Sequence, residues 1–411
     1  MAIDAQIAVI GGGAAGLAAA ISAAQSGCDV IVVERADRLG KRILATGNGR
    51  CNLSNAALDT EQGSAAYNDP RFVEDIISRV GFREISEFFT DLGLLIHVDT
   101  EGRAYPRTNS ANSVVDILHN AISLLRITER TGLDIKRITH NHQDGKLVFE
   151  ILADNGQTLT AAAVILATGP DIIPIIDVEL EQHRLEPVLG PLHTQGVAQK
   201  GLNGVRVRCA ASLVQGERVI VREHGEVLFR DYGLSGIVVF ELSRYLQPKY
   251  EVSLDYFPEY SHDELRVLIS RRLVQLSGYP VDRFFDGLLH KRVAQAIMRS
   301  LDYSSRTPIE NLQLTRLVQI LKDHRFRVTD GPTRAQAQVM RGGLATGGFS
   351  SQTLECVKLP GLFIVGEAVD VDGRSGGYNL HWAWASGIVA GRAAACRTVA
   401  NDCVTTREES R

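Results

Sequence analysis

Residues 7–16 read Ile-Ala-Val-Ile-Gly-Gly-Gly-Ala-Ala-Gly, an apolar run that ends abruptly in glycine. The run predicts a buried strand, residues 14–26 predict a helix, and residues 28–33 predict a second buried strand. A strand, a glycine turn, a helix and a strand within about 30 residues form a βαβ unit, which requires a parallel sheet. This stretch therefore predicts an α/β fold.

The glycines of the turn match the spacing G-x-G-x-x-G. Gly11 permits a tight turn, Gly13 lets the backbone approach a pyrophosphate, and Gly16 lets the helix and strand pack closely. Glu34 ends the second strand, where its carboxylate can accept hydrogen bonds from an adenosine ribose. In this context the motif predicts a Rossmann-like dinucleotide site, although it does not separate NAD from FAD.

A second glycine-rich region near the C-terminus separates the two cofactors. Residues 362–365 predict a strand that ends in Gly366-Glu367, and Gly376 to Leu380 follow before a helix of small residues. An NAD enzyme does not need the far end of its chain at the nucleotide site, whereas the ribityl chain and ring of FAD must be held along the crevice. An acid at a strand end can bind ribityl hydroxyls, and a helix N-terminus near Asn379 can stabilise a reduced flavin. The two regions together predict FAD.

The composition excludes several classes of protein. A chain of 411 residues with 45% hydrophobic and 22% charged residues is globular, and its length indicates two or three domains. The net charge of −4 argues against a generic nucleic-acid binder. The six cysteines lack CxxC or zinc spacing, which predicts reduced thiols and no metal site. No run resembles a signal peptide or a membrane span, so we expect a cytoplasmic protein without a membrane partner.

The pattern changes in the middle of the chain. Residues 205–256 predict short strands, residues 262–322 predict helices, and residues 187–332 hold more basic than acidic side chains. An insertion with its own composition explains this change. The predicted domains are a first part of the FAD-binding domain (1–186), an inserted β-barrel-like substrate domain (187–257), an inserted helical subdomain (258–332), and a second part of the FAD-binding domain (333–411).

Local patterns complete the first part. Residues 70–92 predict two amphipathic helices, residues 94–107 a hairpin and residues 110–125 a helix. Residues 132–166 predict three or four strands, with hairpin turns at Asp144-Gly145 and Asn155-Gly156.

Five segments together resemble the BaiN-like flavoproteins, a family also labelled aminoacetone-oxidase-like. They are GGGAAGL (11–17), ATGNGRCNLSN (45–55), YGLSG (232–236), AQVMRGGLATGGFS (337–350) and GLFIVGEAVDVDGRSGGYNLHWAWASGIVAG (361–391). The resemblance spans nearly the whole chain. It implies a glutathione-reductase-type FAD domain interrupted by a β-barrel and a helical part, and it implies a flavin oxidoreductase. Members of the family include reductases of unsaturated steroid-like substrates.

The resemblance also implies which residues contact FAD. The pyrophosphate is assigned to Gly11, Gly13, Ala14, Ala15 and Gly16, the adenosine ribose to Glu34 and Arg35, and adenine to the backbone near Ile135. The flavin is assigned to Lys41, Gly47, Asn48, Gly49, Arg50, Cys51 and Asn52. The ribityl and pyrimidine end is assigned to Gly366, Glu367, Asp370, Gly377, Tyr378, Asn379 and Leu380. Ala167, Thr168 and Gly169 belong to the same site, but Pro170 stands where the family has glycine. Proline fixes φ and lacks an N–H donor, so the chain exit there departs from the family.

The predicted function is an FAD-dependent oxidoreductase that transfers a hydride to or from a small organic substrate, with the insert shaping the substrate pocket. NADH and NADPH are candidate transient reductants, because no second G-x-G-x-x-G with a trailing acid provides a dedicated domain for them. A flavoprotein acting on RNA and a non-enzymatic flavin-binding protein stay open as alternatives. Cys51 is interpreted as a packed thiol, since disulfide reductases of this fold need two cysteines at the flavin. His381 and Arg374 are interpreted as structural contacts, so the sequence assigns no catalytic residue and no oligomeric state.

Overall fold

In the computed structural model the chain divides into two compact units. The first comprises residues 1–186 and 340–411, and the second comprises residues 187–339. The structure describes residues 3–60, 63–143, 146–170, 175–195 and 200–408, with side chains in the last helix described as far as residue 399.

Strands and helices are numbered along these described residues. The strands are β1 (Ala5–Ile10), β2 (Val30–Glu34), β3 (Ser54–Asn55), β4 (Ile96–Val98), β5 (Arg103–Pro106), β6 (Thr128–Thr131), β7 (Ile135–Gln143), β8 (Lys146–Ala153), β9 (Thr158–Leu166), β10 (Ile175–Ile176), β11 (Gln182–Val188), β12 (Leu192–Gln195), β13 (Arg206–Gln215), β14 (Arg218–Arg230), β15 (Gly233–Ser235), β16 (Glu251–Asp255), β17 (His324–Asp330), β18 (Val339–Leu344) and β19 (Leu362–Ile364). The helices are α1 (Ala14–Gln25), α2 (Pro70–Ile77), α3 (Phe82–Asp91), α4 (Ala111–Leu124), α5 (Ile237–Ser243), α6 (His262–Gln275), α7 (Val281–Phe284), α8 (Lys291–Ser300), α9 (Leu314–Lys322) and α10 (Tyr378–Glu408).

The first unit is built on a sheet with the order β10-β7-β8-β9-β1-β2-β6, in which β19 also pairs with β9. Strand β1 lies parallel to β2 and to β9, and β19 lies parallel to β9. The carboxyl ends of parallel strands meet at one edge of a sheet, which is where ligands bind in α/β folds. Ile10, Glu34, Leu166 and Ile364 therefore end their strands along one edge.

Helices α1 and α10 pack together through small residues. A Cβ atom on Gly387 would lie 2.3 Å from the Ala15 carbonyl oxygen, and one on Gly391 would lie 2.3 Å from the Ala19 carbonyl oxygen. Only glycine allows this approach of two backbones. Helix α10 directly follows the glycine turn, as the sequence predicts, and runs from Tyr378 to Glu408.

Most of the local elements of the first unit follow the sequence patterns. Helices α2 and α3 bury their apolar faces, and β4 and β5 form an antiparallel pair. The predicted turn at Asp144-Gly145 lies outside the described residues, and the strands on either side of it pair with Gln143 opposite Lys146. Gly156 adopts a φ of +83° in the turn between β8 and β9. None of the described helices is long and apolar enough to cross a membrane.

The second unit contains a closed barrel with the strand order β12-β15-β14-β13-β16-β17. Neighbouring strands in the barrel are antiparallel. Helices α6 to α9 lie between β16 and β17 in sequence and share one hydrophobic core with the barrel. The unit confirms the predicted class, a Rossmann-like fold with an inserted β-barrel and helical part.

One strand of the barrel falls outside its predicted range. β17 (His324–Asp330) pairs with both β12 and β16, yet the sequence prediction ended the barrel at residue 257. The barrel therefore extends beyond the predicted range 187–257 and includes residues 324–330. The physical reason is that the chain completes the helices before it returns to satisfy two open strand edges, and a return after such a gap leaves no local pattern.

Candidate functional site

The glycine turn after β1 forms an open cradle in front of α1. A Cβ on Gly11 would lie 2.3 Å from the Ala167 carbonyl oxygen, and one on Gly16 would lie 1.8 Å from the Gly11 carbonyl oxygen. A Cβ on Gly13, by contrast, would meet nothing within 4 Å. Gly13 is the N-cap of α1 and supplies no side-chain cap, so the first-turn N–H groups around Ala14 point into this space. Such a cradle fits a pyrophosphate.

The Glu34 carboxylate is held against the cradle at the end of β2. Its Oε2 accepts the Gly12 N–H at 2.7 Å, and its Oε1 accepts the Ala36 N–H at 2.8 Å. The Leu133 N–H donates to the Glu34 carbonyl oxygen, which brings the start of β7 at Ile135 to the same place. The structure thus gathers the residues predicted for the adenosine half, although the Arg35 side chain is exposed to solvent.

The loop between β2 and β3 is strained. Between positions 47 and 51, four residues have left-handed backbones, namely Gly47 (φ +56°), Asn48 (+54°), Gly49 (+81°) and Cys51 (+57°). Left-handed conformations cost energy in residues with a Cβ, and they concentrate at ligand sites. Arg50, in the same loop, places its guanidinium 4.8 Å from the centre of the Tyr105 ring.

Asn52 carries a polar atom that the protein leaves unsatisfied. Its side-chain oxygen is buried and has no hydrogen-bond partner among the described residues. A Cβ on Gly377 would lie 2.9 Å from this oxygen and 2.4 Å from the Ser54 carbonyl oxygen, so only glycine fits there. A buried acceptor without a donor costs about 1–3 kcal/mol. A cofactor N–H would remove that cost, which is why the residues present fit a flavin.

Cys51 is packed, in agreement with its interpretation as a structural thiol. Its side chain is fully buried, and burial raises the pKa of the thiol to about 12. Cys28 lies elsewhere, where its sulfur contacts Thr398 on α10. The thiolate is the nucleophilic form of cysteine, so a raised pKa fits Cys51 to a packed role.

Glu367 and Asp370 both bind the strand β18. The Met340 N–H donates to Glu367 Oε1 at 2.9 Å, and the Gly342 N–H donates to Asp370 Oδ1 at 3.0 Å. Gly366 has a φ of +65°, and its carbonyl oxygen accepts the Trp382 indole N–H at 3.0 Å. The turn that follows β19 is therefore rigid at the position where the ribityl chain is expected.

The turn into α10 is shaped by the side chains predicted to hold the pyrimidine end. Asn379 accepts the Gly373 N–H at 2.8 Å and donates to the Gly373 carbonyl oxygen at 3.0 Å. The Tyr378 carbonyl oxygen accepts the Tyr67 hydroxyl at 2.8 Å, and Leu380 packs against the core. These contacts keep Gly377 close to Asn52, at the end of the strained loop.

The end of β9 closes the cradle. The Ala167 N–H donates to the Ile10 carbonyl oxygen at 2.8 Å, and Gly169 adopts a φ of +73° two residues later. A Cβ on Gly169 would lie 2.8 Å from an Arg42 guanidinium nitrogen. Thr168 lies between Ala167 and Gly169 in the chain. The residues directly after Pro170 fall outside the described part of the chain.

Lys41 and His381 make contacts outside the predicted cofactor set, and the sequence reasoning missed several neighbours of that set. Lys41 is exposed and pairs with Asp37 at 3.0 Å. His381 is buried, where Ser54 and the Val80 carbonyl oxygen occupy both ring nitrogens and burial lowers its pKa to about 4. The sequence reasoning also missed Arg42, Asn68, His183 and Gly342, which contact Glu367 or Asp370. The described residues contain no cluster of acids, histidines or cysteines that could hold a metal.

The family model of the HI0933-like protein Rossmann domain matches residues 5–393. The chain belongs to this family. A 3-dehydro-bile acid delta(4,6)-reductase from Clostridium scindens is 33% identical over 95% of this chain and 99% of its own length. A ribosomal RNA dihydrouridine synthase from Escherichia coli is 27% identical over 92% of this chain and 95% of its own.

A solved structure shares the fold of this HI0933-like chain. The 3-ketosteroid delta1-dehydrogenase from Sterolibacterium denitrificans aligns with a TM-score of 0.51 at 11% identity, over 96% of this chain and 99% of that chain. The resemblance to BaiN-like flavoproteins is confirmed by the family match and the reductase relative. This chain is an FAD-dependent oxidoreductase. Its individual cofactor contacts stay predictions.

Proposed function

We propose that this enzyme reduces a carbon–carbon double bond conjugated to a carbonyl group in a small organic substrate. The observation that carries the proposal is the likeness to a 3-dehydro-bile acid delta(4,6)-reductase along 95% of this chain and 99% of the relative. A match of that extent includes both halves of the cofactor site and the whole second unit, so it supports a common reaction type.

The residues of the chain divide the work of holding the cofactor. We infer that the first turn of α1 and Gly13 bind the pyrophosphate, that Glu34 binds the adenosine ribose, and that Glu367 binds ribityl hydroxyls. The Asn52 side-chain oxygen accepts an N–H of the flavin ring. Bound FAD supplies the hydride chemistry. The burial of Cys51, which raises the pKa of its thiol to about 12, supports a flavin chemistry in which this thiol takes no part.

We propose NADH or NADPH as the reductant, bound transiently. The test is anaerobic stopped-flow mixing of the purified yellow protein with each nucleotide, followed at the flavin absorption band. Bleaching by one nucleotide supports the proposal. A flavin that neither nucleotide bleaches contradicts this reductant, and a preparation that holds no flavin and takes none up contradicts the cofactor.

The substrate class is tested in a second mixing step. The reduced enzyme is mixed without oxygen with a 3-oxo-4,6-diene bile acid, and the saturated 3-oxo bile acid serves as the control. We expect the diene to reoxidise the flavin and to lose a double bond, whereas the saturated compound leaves the flavin reduced. Equal behaviour of the two compounds would contradict the proposal.

A second candidate substrate is uridine in RNA. One observation favours it: the relative named ribosomal RNA dihydrouridine synthase covers 92% of this chain. Saturating uridine to dihydrouridine also reduces a double bond conjugated to a carbonyl, so the same site chemistry would serve. Incubating the reduced enzyme with ribosomal RNA and measuring dihydrouridine by mass spectrometry decides the matter. RNA affinity that falls steeply with salt would support this candidate, and no binding at low salt would remove it.

A further inference from the structure

His183 forms a pair with Asp370, an acid of the turn that follows β19. Its ring Nδ1 lies 2.7 Å from Asp370 Oδ2, although 187 positions separate the two residues. A carboxylate only accepts, so the Nδ1–H donates and the second nitrogen, Nε2, is turned away from Asp370. The His183 side chain is 52% exposed, whereas that of Asp370 is 16% exposed. An oriented, accessible imidazole beside a sheltered carboxylate can donate a proton to a bound substrate.

The carboxylate of Asp370 is held in place by hydrogen bonds to its other oxygen. Its Oδ1 accepts the Gly342 N–H at 3.0 Å and the Asn68 amide at 3.1 Å. Asn68 is itself fixed, because its side-chain oxygen accepts the Asp372 N–H at 2.9 Å and its own N–H donates to the Asp372 carbonyl oxygen. With Oδ1 occupied twice, Oδ2 is the oxygen that orients the imidazole.

Asp370 lies in the same turn as Glu367, the predicted ribityl contact. Strand β18 donates the Met340 N–H to Glu367 and, two residues on, the Gly342 N–H to Asp370. Alternate residues of a strand donate toward the same edge. His183 reaches Asp370 from β11, which pairs with β18. All of these residues belong to the first unit.

We propose that His183 is the proton donor of the reduction and that Asp370 is its positioning residue. The inference rests on the proposed function. As the β carbon of the conjugated double bond accepts a hydride from the reduced flavin, His183 gives its Nε2 proton to the α carbon. The double bond becomes single, the flavin is left oxidised, and the neutral imidazole regains a proton from solvent.

The surrounding charges favour the protonated imidazole. The hydrogen bond to Asp370, followed by the charge of that carboxylate, raises the pKa of His183 above its usual value. The Glu181 carboxylate lies 3.9 Å from Nε2 and acts in the same direction. The nearby cation Arg341 is bound by Asp372 at 2.7 Å. His183 therefore carries a larger protonated fraction at neutral pH than a free histidine does.

The experiment compares His183→Gln and Asp370→Asn with the wild-type holoenzyme, and uses His142→Gln, an exposed histidine of β7, as the control. Three quantities are measured: the rate of flavin reoxidation by the 3-oxo-4,6-diene bile acid, the rate of flavin reduction, and the flavin spectrum. We expect His183→Gln to slow reoxidation about 100-fold or more. Its flavin reduction and spectrum stay unchanged, and His142→Gln matches the wild type throughout.

Two further readouts separate proton donation from a structural role. The reoxidation rate of the wild type falls as the pH rises through the pKa of His183, and this fall is absent in His183→Gln. Nuclear magnetic resonance of the histidine ring gives the pKa of His183 directly, and Asp370→Asn lowers it. The second readout needs no turnover.

The outcomes distinguish this inference from the proposed function. A wild type that the diene does not reoxidise overturns the proposed function and the donor role with it. A wild type that reacts, together with a His183→Gln variant that reacts equally fast, overturns the donor role alone. An unchanged His183 pKa in Asp370→Asn overturns the pairing.

Discussion

Glu34 shows at the scale of a residue how the candidate site is held in a fixed conformation. Both of its carboxylate oxygens accept backbone N–H groups, from Gly12 and Ala36, so the side chain is fixed at the end of β2. A fixed acceptor binds a ribose without the entropy cost of ordering a long side chain.

Replacing Glu34 by alanine is expected to weaken FAD binding. The lost ribose hydrogen bonds correspond to about 1–3 kcal/mol, and the Kd for FAD, measured by flavin fluorescence, should rise accordingly. Glu129→Ala is the matched control, because this acid is exposed on the neighbouring strand β6. Equal FAD affinity in the Glu34 variant and the wild type would contradict the assigned role.

Cys51 is expected to resist alkylation in the folded protein. Because burial raises its pKa to about 12, its thiolate fraction at pH 8 is on the order of one in 10⁴. Iodoacetamide should therefore modify the exposed Cys396 and leave Cys51 unmodified until the chain unfolds. Mass spectrometry of the tryptic peptides measures both sites, and modification of Cys51 in the native protein would show that the loop opens.

At the scale of the element, the packing of α1 against α10 holds the cradle in place. The carbonyl oxygens of Ala15 and Ala19 sit where side chains on Gly387 and Gly391 would be. The amino end of α1, which faces the predicted pyrophosphate, is therefore positioned by glycines near the other end of the chain. Changes in α10 should reach the cofactor site through this contact.

Gly391→Ala is expected to destabilise the protein. Alanine improves helix propensity by about 1 kcal/mol, but its Cβ would lie 2.3 Å from a backbone oxygen that no rotamer change can move. The resulting strain of about 1–3 kcal/mol should exceed the gain, and urea unfolding measures the balance. Gly347→Ala is the control, since a Cβ there meets nothing within 4 Å. An equally stable Gly391 variant would mean that the helices separate without cost.

At the scale of the whole molecule, each unit contains a buried histidine with a lowered pKa. His381 in the first unit and His324 in the second are both buried, and burial lowers the pKa of each from 6.5 to about 4. In the second unit the Tyr256 hydroxyl lies 2.8 Å from His324 Nδ1. Both units should therefore respond to acid in the same direction.

Stability is expected to fall between pH 6.5 and about 4. In that range the unfolded chain binds protons that the folded histidines do not, so the stabilisation is complete above pH 6.5 and is lost as the pH falls. Each histidine contributes up to about 3 kcal/mol. Urea unfolding at pH 7.5, 6 and 5 measures the slope, which His324→Phe should reduce and the exposed-site control His142→Gln should not. A slope unchanged in His324→Phe would contradict the assignment.

The second unit is expected to fold alone. Residues 187–339 form one continuous compact unit with a closed barrel and its own core, so this fragment should unfold cooperatively and bind no flavin. The control fragment 187–323 lacks β17, which leaves the edges of β12 and β16 unpaired, and it should show no cooperative transition. Circular dichroism during urea unfolding distinguishes the two. Cooperative unfolding of the shorter fragment would show that barrel closure is not required.

Much of the site was accessible from the sequence because its signals are local. The strand, turn and helix at residues 7–26 and the glycine turn before α10 are short patterns with one physical explanation each. The contact between Asp370 and His183, and the orphan oxygen of Asn52, leave no such pattern, because they depend on which distant strands meet. His183 was therefore missed entirely, and Asp370 was assigned to the cofactor alone.

By itself the sequence determined the βαβ unit, and it predicted a dinucleotide site and FAD in place of NAD, since glycine spacing and hydrophobic runs act over a few residues. Only the tertiary structure decided that β17 closes the barrel, that burial raises the pKa of the Cys51 thiol, and that His183 pairs with Asp370. Hydrogen bonds between strands and the burial of a thiol arise from residues far apart in the chain. The energies of these interactions depend on distances in the folded chain, which cannot be read from the order of the amino acids.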